Sequence, residues 1–398
     1  MQTATKIAPP ARRVDPHLDL ADYDPEGDLM VLNFGPQHPS THGVLRIKLW
    51  LDGEKVVKAV PYLGYLHRGA EKLCEKLTYV QVPPIVDKHD YVSAMINELA
   101  VCMAFEKLEG TEVPRRARYL RTIVAELQRV ASHLLWLGTF CNDIGGAMGG
   151  GGSVFMYAFR ERELIIDLFE ELAGARMHYN YVQVGGVRHD LTPGWAAKAK
   201  AVAKEILARL PEHHAMLDDN PIFRARTVGL GYLEPELAME LGIGGPMLRA
   251  SGVAHDLRVS QPYAAYDEIE VKTFTATEGD VYARYLVRMQ EMEESLRIAS
   301  ALLDGIPEGP ILGRKAAVTM PNAVKPPKGE AYVGIESPRG ELGTYVVSDG
   351  TPNPYRVKFR APSYHALSAL PYLLPGVTVS DVVAVLGSLD PIMGEADR

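Results

Sequence analysis

The stretch that decides the fold class is PRRARYLRTIVAELQRVASHLLWLG, residues 114–138. Its apolar residues recur three and four positions apart, which is the spacing of one face of an α-helix. They are Leu120, Ile123, Val124, Leu127, Val130, Ala131, Leu134 and Leu135. Pro114 suits a first helical turn and Gly138 suits a helix end. The pattern therefore predicts a long helix with a buried face.

Similar patterns on both sides of this segment predict four more helices. They cover residues 91–107, 155–173, 195–210 and 280–304. Asp280 is a favourable N-cap for the last of them, and Gly305 follows its end. Because none of these helices can bury its apolar face alone, we expect a helical bundle over residues 90–305.

Period-two patterns predict small antiparallel sheets at both ends of the chain. The N-terminal sheet covers residues 28–62. Near the C-terminus, strands are predicted at 331–336, 344–348 and 355–360, and short helices at 363–370 and 380–386. The predicted fold class is α+β, a central helical bundle flanked by these sheets. We expect one domain over residues 28–398, with C-terminal strands and short helices over 330–398, after an extended arm at 1–27 rich in proline and aspartate.

Composition excludes several classes of protein. The 398 residues carry 42 basic and 50 acidic side chains, a formal charge of −8, so a basic surface for nucleic acid is absent. The three cysteines, Cys74, Cys102 and Cys141, form no CxxC pair, so we expect no iron-sulfur cluster or zinc held by this chain alone. Sparse cysteines fit a reducing compartment. The first residues lack the apolar stretch of a secretory signal, and no run is long enough for a spanning helix.

The densest group of reactive residues is GPQHPSTHG at 35–43. His38 and His42, four apart, would share a helix face and could bind zinc there, but two prolines and the final glycine favour a tight loop between strands. Loops on rigid scaffolds often carry binding groups. A turn whose histidines bond local backbone groups is the open alternative.

Other charged or glycine-rich segments have structural interpretations of their own. DKHDY at 87–91 fits a capped helix start. Glu126, Arg129 and His133 follow the core-facing stripe of the long helix, where structural ion pairs are the commoner outcome. The glycine run at 149–152 lacks the strand and lysine of a phosphate-binding loop.

Several runs are long and unusual: GPQHPSTHG at 35–43, LGYLHRG at 63–69, DY at 90–91, SHL at 132–134, YAFRERE at 157–163, LRASG at 248–252, RGE at 339–341 and GEADR at 394–398. Together they resemble the D-type subunit family of NADH-quinone oxidoreductase, respiratory complex I. The resemblance covers nearly the whole chain after the arm. It implies a fold related to the large subunits of nickel-iron hydrogenases.

Hydrogenases hold their metals with four thiolates, and the resemblance places those positions near Asp90, Val92, Ile392 and Glu395. None of the four is cysteine, so the resemblance implies that the metal site is lost and its cavity is reused. In this family the cavity takes a quinone head group, beside a neighbouring subunit that carries the terminal iron-sulfur cluster. Quinone is implied as a substrate, with no cofactor held by this chain alone.

The resemblance also implies the site residues. His42 and Tyr91 match the two quinone-binding catalytic positions, and Asp143 matches the carboxylate that pairs with the histidine. Reduction of a quinone places negative charge on two carbonyl oxygens at opposite ends of a ring, so each end needs a donor. Three further positions are implied to line the interface with the cluster-bearing subunit or to tune the potential of its cluster through charge. They are His38, Arg68 and Arg129.

The function implied is a peripheral subunit that reduces quinone and couples electron transfer from NADH to proton translocation, active only in the assembled complex. Implied partners are the cluster-bearing B-type subunit, the C-type and I-type subunits, and the H-type membrane subunit, through which contact with the membrane would be indirect. We expect the cytoplasmic side of a bacterial cell membrane. A non-catalytic docking scaffold and a hydrogenase-type metalloenzyme are the alternatives, and the cysteine spacing disfavours the second.

Overall fold

The computed structural model describes residues 29–145, 152–313 and 324–398. The predicted arm at 1–27 and most of the glycine run at 149–152 lie outside the described residues. The helices are α1 (Ala70–Cys74), α2 (Pro83–Val86), α3 (Ala94–Glu109), α4 (Arg115–Ile144), α5 (Gly152–Ala173), α6 (Trp195–Leu217), α7 (Pro221–Ala225), α8 (Pro235–Glu240), α9 (Gly245–Ala250), α10 (Leu257–Ser260), α11 (Val281–Asp304), α12 (Pro362–Leu367), α13 (Leu370–Leu373), α14 (Val379–Ser388) and α15 (Met393–Asp397).

The strands form two three-stranded antiparallel sheets and two short ladders in the described residues. The N-terminal sheet has the order β1-β4-β5, and the C-terminal sheet has the order β10-β9-β8. The strands are β1 (Met30–Phe34), β2 (Gln37–His38), β3 (Gly43–Val44), β4 (Arg46–Asp52), β5 (Lys55–Tyr62), β6 (Val182–Gln183), β7 (Gly186–Val187), β8 (Gly329–Ser337), β9 (Gly340–Ser348) and β10 (Arg356–Arg360). The predicted fold class is confirmed, and the single-domain division stays a prediction.

Helix α4 is the centre of the bundle and packs along α5 and α11. The predicted end at Gly138 is wrong, because α4 continues to Ile144 and stops before Gly145, whose φ is 99°. Gly138 instead permits a close helix contact, since a Cβ there would lie 3.3 Å from Cα of Phe155 in α5. The additional turns of α4 carry Asp143.

Several other predicted boundaries also differ from the structure. Helix α3 begins at Ala94 rather than 91, because Asp90 accepts hydrogen bonds from the backbone N–H groups of Val92 and Ser93 and forms a turn. Helix α6 continues past Pro211 to Leu217, where buried side chains extend its packed face. The predicted helix at 363–370 is divided into α12 and α13, and α15 is not predicted from the sequence.

Two hydrophobic cores position the site. The larger core fills the helical bundle. The second core joins the N-terminal sheet to the C-terminal helices, for example Leu49 of β4 with Leu370 of α13 and Leu386 of α14. The two ends of the chain are therefore packed together beside the bundle. Within the described residues, no helix combines the length and the apolar character that crossing a bilayer requires.

Candidate functional site

The loop at 35–43 folds as a narrow turn between β2 and β3. Residues Pro39–Thr41 form a single 3₁₀ turn, and Thr41 Oγ1 donates to the carbonyl oxygen of His38 at 2.7 Å. His42 follows with a φ of 54°, in the left-handed region that side chains other than glycine rarely adopt. Such conformations persist where the surrounding structure imposes them, and they concentrate at functional sites.

The imidazole of His42 is paired with Asp143, which comes from the last turn of α4. His42 Nε2 lies 2.6 Å from Asp143 Oδ2, and the two side chains are 10% and 8% exposed. The other ring nitrogen, Nδ1, has no hydrogen-bond partner among the described residues. The pair therefore holds the ring in place and leaves one nitrogen available to a ligand.

The end of α14 lies against this pair. A Cβ at Gly387 would be 3.6 Å from His42 Nε2 and 3.0 Å from Cδ2 of Phe140. The carbonyl oxygen of Gly387 also accepts a 2.8 Å hydrogen bond from Trp136 Nε1 of α4. The absence of a side chain at 387 thus lets α14 approach both α4 and the histidine loop.

Tyr91 lies in the turn between α2 and α3. Its ring is partly buried, and its hydroxyl has no hydrogen-bond partner among the described residues. Burial, reinforced by the charge of Asp90, raises the pKa of Tyr91, while Arg339 opposes the increase. A buried phenol usually has a hydrogen-bond partner, and the Tyr91 hydroxyl has none among the described residues. It is therefore available as a proton donor to a ligand.

Arg339 connects the Tyr91 turn to the residues after α14. Its guanidinium is buried, and Nη1 donates to Asp90 Oδ2 at 2.7 Å. Nε donates to the backbone oxygen of Asp390 at 2.9 Å, and Nη2 donates to its carboxylate at 3.2 Å. The negative charge of Asp390 also raises the pKa of Tyr91.

His42 and Tyr91 therefore adjoin the same short segment, residues 387–390, although no hydrogen bond joins them. His42 lies against Gly387 at one end, and the Tyr91 turn is linked through Arg339 to Asp390 at the other. Gly387 and Asp390 are three residues apart, so their Cα atoms lie at most about 11 Å from each other. The structure thus brings His42 and Asp143 into contact, and it connects the Tyr91 turn to the same segment only indirectly, through Arg339.

The positions matched to hydrogenase thiolates hold carboxylates and apolar side chains. Ser363 N donates to Glu395 Oε1 at 3.0 Å, and burial together with the charge of Asp90 raises the pKa of Glu395 to about 7. Arg339 is the cation between these groups. The sequence comparison identifies the RGE run and places Glu395 at a lost metal-ligand position, but it does not assign Arg339 or Asp390 to the site.

The remaining predicted residues lie in different surroundings. His38 Nδ1 accepts from Ser40 N at 3.2 Å, and its ring packs 4.2 Å from that of Phe34, so local contacts account for it. Arg68 is exposed, and its Nη2 donates to the Lys88 carbonyl oxygen at 3.0 Å, beside the Tyr91 turn.

Arg129 is fully buried inside the bundle and contacts neither His42 nor Tyr91 through any hydrogen bond among the described residues. Its Nη2 donates to the Glu336 carbonyl oxygen at 2.7 Å. Nearby, His133 Nε2 lies 3.0 Å from Glu291 Oε2. Burial lowers the pKa of His133, and Glu291 opposes the decrease. The charged side chains on the buried face of α4, Glu126, Arg129 and His133, therefore form the structural ion pairs that the sequence predicts.

Comparison with known proteins decides the family. Residues 148–398 match the family described as "Respiratory-chain NADH dehydrogenase, 49 Kd subunit". The D-type subunit of NADH-quinone oxidoreductase from Geobacillus kaustophilus (strain HTA426) is 47% identical over 369 residues, which cover 92% of this chain and 98% of that protein. The second such D-type subunit of Roseiflexus sp. (strain RS-1) is 46% identical and covers 94% of each.

The chain belongs to this family. The predicted recognition is confirmed, and the protein is a peripheral subunit of NADH-quinone oxidoreductase, whose activity belongs to the assembled complex. A solved chain of the 49 kDa type, from a structure titled as the membrane-bound sulfane sulfur reductase, an archaeal respiratory membrane complex, aligns with a TM-score of 0.88. It is 37% identical and covers 94% of this chain and 100% of its own. The same fold thus occurs in another respiratory complex.

Proposed function

We propose that this 49 kDa-family subunit reduces quinone between His42 and Tyr91, in a cavity shared with a cluster-bearing neighbour. The observation that supports this most is the His42–Asp143 pair at 2.6 Å, formed by residues 101 positions apart and leaving Nδ1 unpartnered among the described residues. Because the pair joins distant parts of the chain and His42 itself has a left-handed backbone, we infer a purpose beyond local folding.

The chemistry requires two proton donors. A quinone that accepts two electrons from the neighbouring subunit takes up two protons and becomes a quinol. The step uses a doubly protonated His42, whose Nε2–H donates to Asp143. Nδ1 gives its proton to one carbonyl oxygen and Tyr91 gives its hydroxyl proton to the other, and the step leaves a neutral imidazole and a tyrosinate. Because its pKa is raised, the phenol of Tyr91 retains its proton until negative charge develops on the ring.

Arg339 keeps the two donors at a fixed separation. It joins the turn that carries Tyr91 to the segment that contacts His42, through ion pairs with Asp90 and Asp390. The buried carboxylates of Asp90 and Asp390 also neutralise the positive charge of Arg339. Changes in the His42–Asp143 pair and in Tyr91 after proton transfer would be the first signal toward proton translocation.

The partners follow from the same proposal. The exposed Arg68 beside the Tyr91 turn would face the cluster-bearing B-type subunit, with His38 lining the interface and Arg129 tuning the potential of the cluster through its charge. The C-type and I-type subunits and the H-type membrane subunit would complete the surroundings, on the cytoplasmic side of a bacterial cell membrane. Residues 28–398 would act as one domain that holds no cofactor by itself.

Substitution of His42 in the assembled complex tests this proposal. His42→Ala should abolish most NADH:quinone turnover while NADH:ferricyanide reduction and subunit content stay normal. His189→Ala, at an exposed histidine, is the control. Normal quinone turnover in an assembled His42→Ala complex would instead support a docking scaffold, and failure to assemble would assign the loop a structural role.

A further inference from the structure

Strand β8 is an edge of the C-terminal sheet. It pairs with β9 on one side, in the order β10-β9-β8. Backbone groups on the other side of an edge strand are left for a partner. In an antiparallel sheet they alternate, so that both the N–H and the C=O of every second residue point away from the paired strand.

The outward residues of β8 are the even-numbered ones. Glu336 N donates to the hydroxyl of Tyr263 at 3.1 Å, and its carbonyl oxygen accepts from Arg129. The carbonyl oxygen of Tyr332 accepts from Lys107 Nζ at 3.0 Å. Between them, the N–H and C=O of Gly334 have no hydrogen-bond partner among the described residues.

A groove follows this edge. Its cavity volume is about 730 Å³, and α3 provides one wall with Met103 and Lys107. The loop at 261–263 forms the other wall, and residues 330–334 of β8 lie at the base. Tyr263 closes the groove at Glu336, so the accessible edge is residues 330–334.

We propose that this groove binds an extended segment of a neighbouring subunit, which adds to the sheet as a fourth strand beside β8. The segment would pair with the outward groups of Tyr332 and Gly334, because a strand presents donors and acceptors with the same spacing. The family assigns the chain to a multi-subunit complex, so neighbouring subunits that could supply the segment are present. The site uses none of the residues of the proposed quinone site.

Lys107 specifies the chemistry of the partner. Its exposed ammonium caps the Tyr332 carbonyl oxygen and forms no ion pair among the described residues. A strand that pairs with Tyr332 displaces this ammonium, and a carboxylate on that strand would replace the lost hydrogen bond with an ion pair. The segment therefore carries an aspartate or glutamate opposite Lys107. The competing role of Lys107 is to protect a free edge from pairing.

Hydrogen exchange in the purified complex, resolved to single amides, tests the pairing. The amides of Ala331 and Val333, which face β9, are internal controls and should be protected in either case. If a strand is added, the amides of Tyr332 and Gly334 should be protected to a similar degree. Free exchange of these two amides beside protected controls would overturn the proposal.

Two variants at one position separate a backbone effect from a side-chain effect. Gly334→Ala and Gly334→Pro add the same Cβ, which would lie 3.0 Å from Glu341 Oε1, but only proline removes the N–H. Gly334→Pro should lower retention of one neighbouring subunit at least tenfold, and Gly334→Ala should retain it. Protected amides at Ala331 and Val333 would show that β8 is intact. Equal subunit retention in both variants would contradict the proposal.

A photo-crosslinking residue at Met103 identifies the occupant in the purified complex. We expect one crosslinked peptide, from another subunit, with an acidic residue near the attachment point. A crosslink to a second copy of this chain, to residues 314–323 of the same chain, or to no protein would each overturn the proposal.

Discussion

The guanidinium of Arg339 lies 2.7 Å from the carboxylate of Asp90, across 249 residues of sequence. Arg339→Met would leave Asp90 and Asp390 buried without their cation, so we expect a loss of about 3–5 kcal/mol in stability. Thermal unfolding of the purified complex, with subunit content, measures it. Arg356→Met is the control, since that partly exposed arginine pairs with Glu71 and Glu75 and should cost at most about 1 kcal/mol. Equal losses would refute the connecting role of Arg339.

Tyr91→Phe removes one proton donor and keeps the ring. We expect NADH:quinone turnover in the assembled complex to fall about 10²-fold, in the range typical of a lost general acid, with ferricyanide reduction unchanged. Tyr355→Phe is the control, because Tyr355 is 68% exposed. Turnover near the wild-type rate would show that Tyr91 is not a donor.

Asp143→Asn retains the shape of the side chain but removes the charge that holds the imidazole of His42. Because an amide interacts more weakly with an imidazolium, quinone turnover should fall at least tenfold (about 1.4 kcal/mol in the barrier). The comparison is Asp304→Asn, at an exposed aspartate that pairs with Lys200. Turnover affected equally by both substitutions would indicate a general effect of charge instead.

Glu98 gives a pH-dependent test of the fold. Its Oε2 accepts from Tyr181 N and Val182 N at 2.8 and 2.7 Å, and its Oε1 has no partner among the described residues. Burial raises the pKa of Glu98 to about 8. Because the unfolded value is near ~4.3, the folded state holds an extra proton between the two values, and stability falls as pH rises through this window.

Glu98→Gln removes that titration and keeps an oxygen for both N–H groups. The variant should be closest to wild type at about pH 4, below the unfolded pKa, and its stability relative to wild type should increase as the pH rises toward about 8. Thermal unfolding of the complex at several pH values measures the difference. A constant difference across the range would mean that Glu98 is ionised throughout.

The local sequence pattern predicts most of the helices and strands, but it does not predict where each of them begins and ends. The spacing in residues 114–138 predicts α4, yet Gly138 has the features of a helix end and instead permits contact with Phe155, which only the packed structure reveals. Asp280 is predicted as an N-cap, and its side chain does accept from Ala283 N.

The candidate site depends on contacts that no local pattern contains. Resemblance supplies His42, Tyr91 and Asp143, and the structure shows the 2.6 Å pair. Arg339 could not be assigned from the sequence, because its role depends on ion pairs to residues 249 and 51 positions away.

The most direct test is a structure of the complex with a quinone in place. The proposal predicts that His42 Nδ1 and Tyr91 Oη each lie about 2.6–3.2 Å from a different carbonyl oxygen of the same head group. A head group that contacts only one of the two side chains, or neither, would contradict it.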